Sequence, residues 1–246
     1  MGWWCHRPGI GDAVTFGQVY IEQQGSPNPF AQKRDLRSLY SPKAARVLRV
    51  LLTDPKKPWR TQALAKEAAV SLGQVANVKS LLEAREWLGS SEAGLLLKDP
   101  GSLLTEWSEN SNYRKNVSRN YYTLKSVAEI EANLAKACDG ESIKYALTSF
   151  SSAARYAPSV RYQRAMAYVS LDVERIAKLL SLKEVTSGAN VTFLVPYDEG
   201  VMYGTRAVEG ICIASPVQVY LDLFGMKGRG EEAAQAILDE VIRRSW

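Results

Sequence analysis

The stretch from Thr61 to Lys98, TQALAKEAAVSLGQVANVKSLLEAREWLGSSEAGLLLK, constrains the fold of this chain more than any other. A short helical pattern over Thr61–Ala69 gives way at Val70-Ser71 to a second over Ser71–Trp87. A Gly89-Ser90-Ser91 turn and the apolar strand Leu95-Leu96-Leu97 follow. Two helices joined by a tight turn and followed by a β-element spell a helix-turn-helix with a wing. The first helix of that unit braces the second, and the second is shaped to lie in a DNA major groove.

The residue pattern of the second helix supports this reading. Ser71 is a good N-cap, because its hydroxyl can accept from the orphan amides of the next turn. Val75, Val78 and Leu82 recur at helical spacing and form the face to be buried. The opposite face carries Gly73, Ala76, Asn77 and Ser80, with Gln74 at its edge. Small residues let the backbone approach DNA closely, and Asn and Gln can pair bidentately with adenine. The competing reading is a helical pair packed inside a larger domain with no nucleic acid.

Charge is distributed to match. The net charge over 246 residues is only +5, but Lys33–Lys66 holds ten Lys/Arg against Asp35 and Asp54, a local +8 leading into the helix pair. Phosphate contacts supply most of the non-specific affinity of DNA binders. Lys43, Arg46, Lys56 and Lys57 are therefore the candidate phosphate contacts, with Arg60 and Thr61 beside them at the start of the first helix. An ordinary solvated face is the alternative for any charge run taken alone.

The chain is long enough, at 46% hydrophobic residues, to bury a sizeable core and to make two domains. The mean hydropathy is −0.20 and no apolar run approaches the length of a membrane span. The N-terminal MGWWCHRPG lacks the apolar core of a signal peptide. Cys5, Cys138 and Cys212 are scattered without metal spacing, so a reduced cytoplasmic protein is expected, with no disulfide framework, metal or cofactor.

The expected class is α+β: an arm and linker over 1–40 with one strand at Ala13–Ile21, a winged helix-turn-helix over 41–110, and a mixed α/β domain over 111–246. Ser41-Pro42 opens the first helix of the winged unit. Leu103, Leu104 and Trp107 mark a short helix after the wing, and the polar run 108–116 is the expected boundary. Beyond it, strands are expected at Tyr121–Leu124, Ile143–Leu147, Ala165–Leu171, Val191–Val195 and Gly210–Ala214. Helices are expected from the capping box at Ser126–Glu129 to Ala137, over Phe150–Arg155, from a cap at Asp172 through Leu180, from Ser215-Pro216 through Phe224, and over Glu231–Arg243. This half has its own strands and capped helices and reads as able to fold alone.

Several catalytic chemistries lack their residues. The single histidine, His6, makes histidine-based triads improbable, and Cys5-His6 has no second pair with which to hold a metal. Neither GxxxxGK[ST] nor GxGxxG is present. GMKGRGEE (225–232) could hold an anion but reads better as a turn between helices. Asp198, Glu199 and Asp222 could meet at a metal-dependent site, yet capping and turn roles explain them more simply. Tyr113, Tyr121 and Tyr122, interleaved with Arg114, Lys115 and Arg119, could stack single-stranded bases, although a hinge packed on a sheet explains them as well.

The chain resembles the AbiEi-type antitoxins of type IV toxin–antitoxin systems over roughly Asn28 to Trp246. The stretches that carry the resemblance are SPKAARVLRVLLTDPKKPWRTQALAKEAAVSLGQVANVK, LKDPGSLLTEW, YALTSFSSAARYAP, GANVTFLVPYDEGV and ASPVQVYLDLFGMKGRGEEAAQAIL. The resemblance implies an N-terminal winged helix that binds operator DNA and represses its own promoter. It also implies a C-terminal domain that counters a nucleotidyltransferase toxin without forming a stable complex with it. By position, Ser71, Gly73, Gln74 and Asn77 fall on the reading helix, where Ser80 joins them, and Ser90, Ser91 and Lys98 fall on the wing. The strings around Pro196–Gly200 and Gly228–Glu232 mark the C-terminal domain. Residues 1–30 do not read as a complete domain, as in a form shortened at this end.

The leading expectation is thus a repressor that binds double-stranded operator DNA, the antitoxin of such a system, without catalytic activity of its own. The alternatives are a nucleic-acid-directed phosphoryl-transfer or nuclease enzyme, and a protein-interaction scaffold.

Overall fold

The computed structural model describes residues 39–111, 113–157, 162–226 and 228–246. Residues 1–38 of the expected arm, with its strand, Cys5-His6 and the basic residues Lys33, Arg34 and Arg37, lie outside them, while Leu39 and Tyr40 are buried. The architecture is mixed α/β. Among the described residues no helix is long and apolar enough to cross a membrane.

The chain begins with three helices, α1 (Pro42–Thr53), α2 (Thr61–Glu67) and α3 (Leu72–Glu83), followed by the hairpin β1 (Leu88–Ser91) and β2 (Gly94–Leu97). Gly89-Ser90-Ser91, expected as a turn, is instead strand: Ser91 pairs with Gly94 and Leu88 with Leu97, and the turn falls at Glu92-Ala93. Trp59, just before α2, exchanges both backbone hydrogen bonds with Leu95, each 2.8 Å. Gly94 permits this approach. Its φ is +136°, and a Cβ there would stand 2.5 Å from the Trp59 carbonyl oxygen.

Both helices of the expected pair stop early. In α3 the chain turns left-handed at Glu86 (φ 60°), and the Glu86 and Trp87 amides donate back to the carbonyls of Glu83 and Leu82. That is a Schellman ending. Ala69 (φ 51°) ends α2 in the same way, with Ala69 and Val70 donating to Lys66 and Ala65.

After α4 (Pro100–Asn110), capped by Asp99 on the Ser102 amide at 2.9 Å, a 3-10 turn at Tyr113–Lys115 leads into the larger unit. This contains β3 (Val117–Tyr122), α5 (Val127–Gly140), β4 (Tyr145–Leu147), α6 (Ser149–Tyr156), β5 (Ala165–Val169) and α7 (Val173–Leu179). It continues with β6 (Lys183–Glu184), β7 (Val191–Val195), a 3-10 turn (Glu199–Met202), β8 (Arg206–Val208), β9 (Ile211–Ile213), α8 (Pro216–Phe224) and α9 (Arg229–Ile237). The chain closes on a π-turn (Leu238–Ile242) and α10 (Arg243–Ser245).

Seven strands form one sheet in the order β6-β3-β7-β5-β4-β9-β8, parallel at β7/β5 and β4/β9 and antiparallel elsewhere. The helix starts follow the capping signals. Ser126 and Glu129 close a full capping box, and Ser215 accepts from the Gln218 amide behind Pro216. Asp172 does not cap as expected: it takes a left-handed conformation (φ 51°) and makes no side-chain capping bond. Only the first half of GMKGRGEE links α8 to α9: Gly225 C-caps α8, Gly228 is the α9 N-cap, and residues 229–232 form the first turn of α9.

One face of the sheet packs on α5 and α7 through Tyr121, Phe193, Ala167 and Val169 against Ile130, Leu134 and Ile176. The opposite side is shared. A single cluster runs from Leu39, Leu48, Leu52 and Trp107 into Ala153, Tyr220, Leu223 and Ile237. The Trp246 indole donates to the Leu52 carbonyl at 3.1 Å. The polar run 108–116 therefore separates two sets of elements but not two cores.

Candidate nucleic-acid interface

α3 buries Val75, Val78 and Leu82 almost completely. Each contributes at most about 1.5–3 kcal/mol relative to exposure. This fixes the helix against α1 and α2 and turns Gly73, Ala76, Asn77 and Ser80 to solvent. Ser71 caps the helix, accepting from the Gln74 amide at 3.2 Å. No acid occurs between Ser71 and Leu82.

At the α3 N-terminus lies a depression of about 500 Å³ lined by Lys43, Lys66, Val70, Ser71 and Gln74, among others. The α1 and α2 lysines thus meet the positive end of α3, an arrangement suited to a phosphate. Lys66 belongs to this group, although in the sequence it stands out only as a member of the basic run. Its position i+4 from Gln62 and five residues before the Ser71 cap was the available signal.

The remaining candidates divide. The Trp59–Leu95 bridge brings the loop holding Lys56, Lys57 and Arg60 alongside the hairpin. Lys57 Nζ stands 3.9 Å over the Trp59 ring. Arg60 is exposed and Thr61 half-buried at the start of α2. Lys98 folds its aliphatic chain over Gly89, where any Cβ would collide with it. Ser90 and Ser91 donate within the protein, to Glu83 Oε1 at 3.3 Å and to the Gly94 carbonyl at 3.2 Å. Arg46 is largely shielded, at 17% exposure. Its guanidinium makes two bonds to Asp198, of 2.7 and 2.9 Å.

Of the three acids weighed as a possible metal site, Asp198 caps the 3-10 turn, as the simpler reading expects, by accepting from the Gly200 amide. Burial alone would raise the Asp198 carboxyl. The Arg46 bonds, the Gly200 amide and the nearby Arg46 and Arg49 charges outweigh it and hold Asp198 below the usual carboxylate range. Asp222, expected in a turn or cap, is instead buried within α8, where desolvation pushes it up to about 6. Hydrogen bonds from Thr148, Tyr168 and Gln218 and the charge of Arg49 oppose that rise. Gln218 links the two buried charges: its Oε1 accepts from Arg49 Nε and Nη2 at 3.0 and 2.6 Å, and its Nε2 donates to Asp222 at 2.8 Å. Among the described residues no three His, Cys, Asp or Glu side chains come together as a metal site.

A protein-family model described as "Transcriptional regulator, AbiEi antitoxin, Type IV TA system" matches residues 96–243. The chain belongs to that family. The matched stretch begins in β2 and takes in the whole seven-stranded sheet, so the AbiEi match rests on the larger unit and leaves α1–α3 outside it. No curated protein and no solved structure matches the chain. The AbiEi description agrees with the resemblance seen in the sequence and names a transcriptional regulator and antitoxin.

Proposed function

We propose that this AbiEi family member is a DNA-binding repressor whose residues 41–110 form a winged helix-turn-helix, with α3 as the reading helix and β1–β2 as the wing, and whose sheet-bearing remainder carries antitoxin activity. The carrying observation is the two-faced character of α3: one side fully buried, the other acid-free and built of Gly73, Ala76, Asn77 and Ser80, with Lys43 and Lys66 at its positive end. Asn77 and Gln74 suit base edges in a major groove. Lys43, Lys56, Lys57, Arg60 and Lys98 suit flanking phosphates, and Ser71, Ser80 and Thr61 are short donors at the same surface, whereas Ser90 and Ser91, which donate to Glu83 and Gly94, shape the wing. Arg46, committed to Asp198, contributes to the fold instead of to DNA. The partner is double-stranded operator DNA in the cytoplasm. A nucleotidyltransferase toxin, countered without a stable complex, follows from the AbiEi likeness.

Three experiments test this reading. Retarded migration of the DNA upstream of its own gene, competed by the same duplex and not by an unrelated one, is expected. Replacing Lys56, Lys57 and Arg60 together with Ala should lower affinity on all duplexes and flatten the slope of log affinity against log salt, by up to about 0.9 for each phosphate no longer neutralised. Absence of any shift, or an unchanged slope, would overturn the reading. For the antitoxin role, co-expression with the product of a neighbouring gene that arrests growth should restore growth.

A further inference from the structure

The sheet face that faces away from α5 and α7 is only partly covered. In register across three strands, Asn120 of β3 pairs with Thr192 of β7, and Thr192 with Met166 of β5, so all three share that face. The Thr192 hydroxyl donates to Asn120 Oδ1 at 2.9 Å, which sets the amide's orientation. Here lies a cavity of about 610 Å³, walled by Tyr113, Arg114, Ser149, Phe150 and Met226. Tyr113 lies against Gly225, where a Cβ would stand 3.1 Å from the ring. A second cavity of about 600 Å³ adjoins it, lined by Tyr162, Gln163, Asn190 and Arg229, among others.

Phe150 and Arg164 line both cavities, so the two form one groove. Along it stand Arg114 in the first chamber, Arg164 between the chambers and Arg229 in the second. Tyr113, Phe150 and Tyr162 are interleaved with them. Among the described residues that line the groove there is no Asp or Glu. Arg164 Nε donates to the Ala189 carbonyl at 3.0 Å, which anchors its guanidinium between the chambers. Glu131, behind Tyr162, is fully buried and paired with Arg155 at 2.8 Å, so it does not offset these arginines at the surface.

We propose that this groove binds a short single-stranded nucleic acid. Three cations spread along a two-chambered groove match successive phosphates better than the single cluster of phosphates on a mononucleotide. Aromatic rings between cations give bases a surface on which to stack, and the Gln163 amide and Asn120 Nδ2 can meet base edges without selecting one base strictly, whereas the Asn116 and Asn190 amides are held by backbone groups at both ends. A duplex reads differently: its bases are stacked inside, and the face proposed to meet it is α3. Part of the aromatic–basic sequence cluster therefore serves here, through Tyr113 and Arg114. Tyr121 turns to the opposite face against Phe193, and Arg119 pairs with Glu174 and Glu184.

The test uses the full chain and fluorescein-labelled hexanucleotides, U6 and dT6, read by anisotropy. Saturable binding to one or both is expected, with a salt slope near −2, at about 0.7 for each of three phosphates. The two arms separate RNA from DNA. Arg164→Ala should weaken binding about tenfold or more and Phe150→Ala at least about fivefold, while Asn77→Ala leaves it unchanged. Arg164→Ala should leave duplex operator binding as it was, so failure of this site and failure of the repressor reading are distinguishable. Arg164 is exposed, so its replacement should keep the melting temperature; Arg114→Ala serves as the second variant if it does not. The proposal is overturned if neither hexamer binds, if the arginine variants bind as the parent does, or if AMP competes as well as the hexamer.

Discussion

Arg46 and Asp198, 152 residues apart in sequence, join the first helix to the 3-10 turn after β7 through two parallel hydrogen bonds of 2.7 and 2.9 Å. Both side chains are largely shielded, at 17% and 7% exposure. Gly200 makes room for the pair, since a Cβ there would press on Arg46 Cγ and Asp198 Oδ1, each at 2.7 Å. A paired carboxylate of this kind resists replacement because the partner charge is left behind.

Asp198→Asn should therefore destabilise the protein by about 1–3 kcal/mol at pH 7. Asp198 is held below the usual carboxylate range, so its contribution is present above the unfolded-state value and is lost as pH falls through the folded-state value. Urea unfolding of parent and variant should differ at pH 7 and converge in strong acid. A difference that persists unchanged at low pH would remove the ion pair as its cause.

Asp222 carries the opposite sign. Its folded-state value, about 6, lies above the ordinary 3.8, so the folded protein binds the extra proton. Stability from this group is complete below about 4 and falls as pH rises through about 6, by a total on the order of 3 kcal/mol. Asp222→Asn should abolish that slope between about pH 4 and 6. Denaturation midpoints that decline equally in parent and variant would exclude Asp222 as the titrating group.

On the proposed reading face, Asn77→Ala should cost about 1–3 kcal/mol on the preferred operator and little on unrelated duplexes. Titrations of both DNAs at one salt concentration decide the matter. Equal losses on both would show that Asn77 does not read bases.

Four helices end on a left-handed residue that is not glycine: Ala69, Glu86, Ser142 and Ser181. In each case the two back-donating amides of a Schellman ending are present. Left-handed backbone costs a non-glycine residue about 1–2 kcal/mol. Ser181→Gly, at an exposed site distant in sequence from α3, should therefore stabilise by about 1 kcal/mol, less whatever the freer unfolded chain takes back. A fall in the melting temperature would count against this.

Those endings also explain which parts of the fold were legible in the sequence. Helix starts were readable because Ser71, Ser126 and Ser215 advertise their caps. The ends of α2, α3 and α5 were less so, because the glycine that usually marks them is missing; α7 lacks it too, yet ends within a residue of the expected Leu180. β6 and β8, at two and three residues, are too short and polar to show an alternation. The basic run was visible as a sum. Nothing in it announced that Arg46 would pair with Asp198, or that Arg49, flanked by Leu48 and Val50, would be buried at 2% exposure against Gln218. Counting charge along a chain says how much there is; which members face solvent depends on partners 152 and 169 residues away.

The core that runs unbroken from Leu48 and Trp107 to Tyr220 and Ile237 has a genetic corollary. Alleles that lose regulation should scatter over both halves of the chain, because a fault deep beside the sheet loosens the seat of α3 as surely as a fault beneath it. Only alleles whose protein still accumulates to parental levels would mark surface that a partner touches.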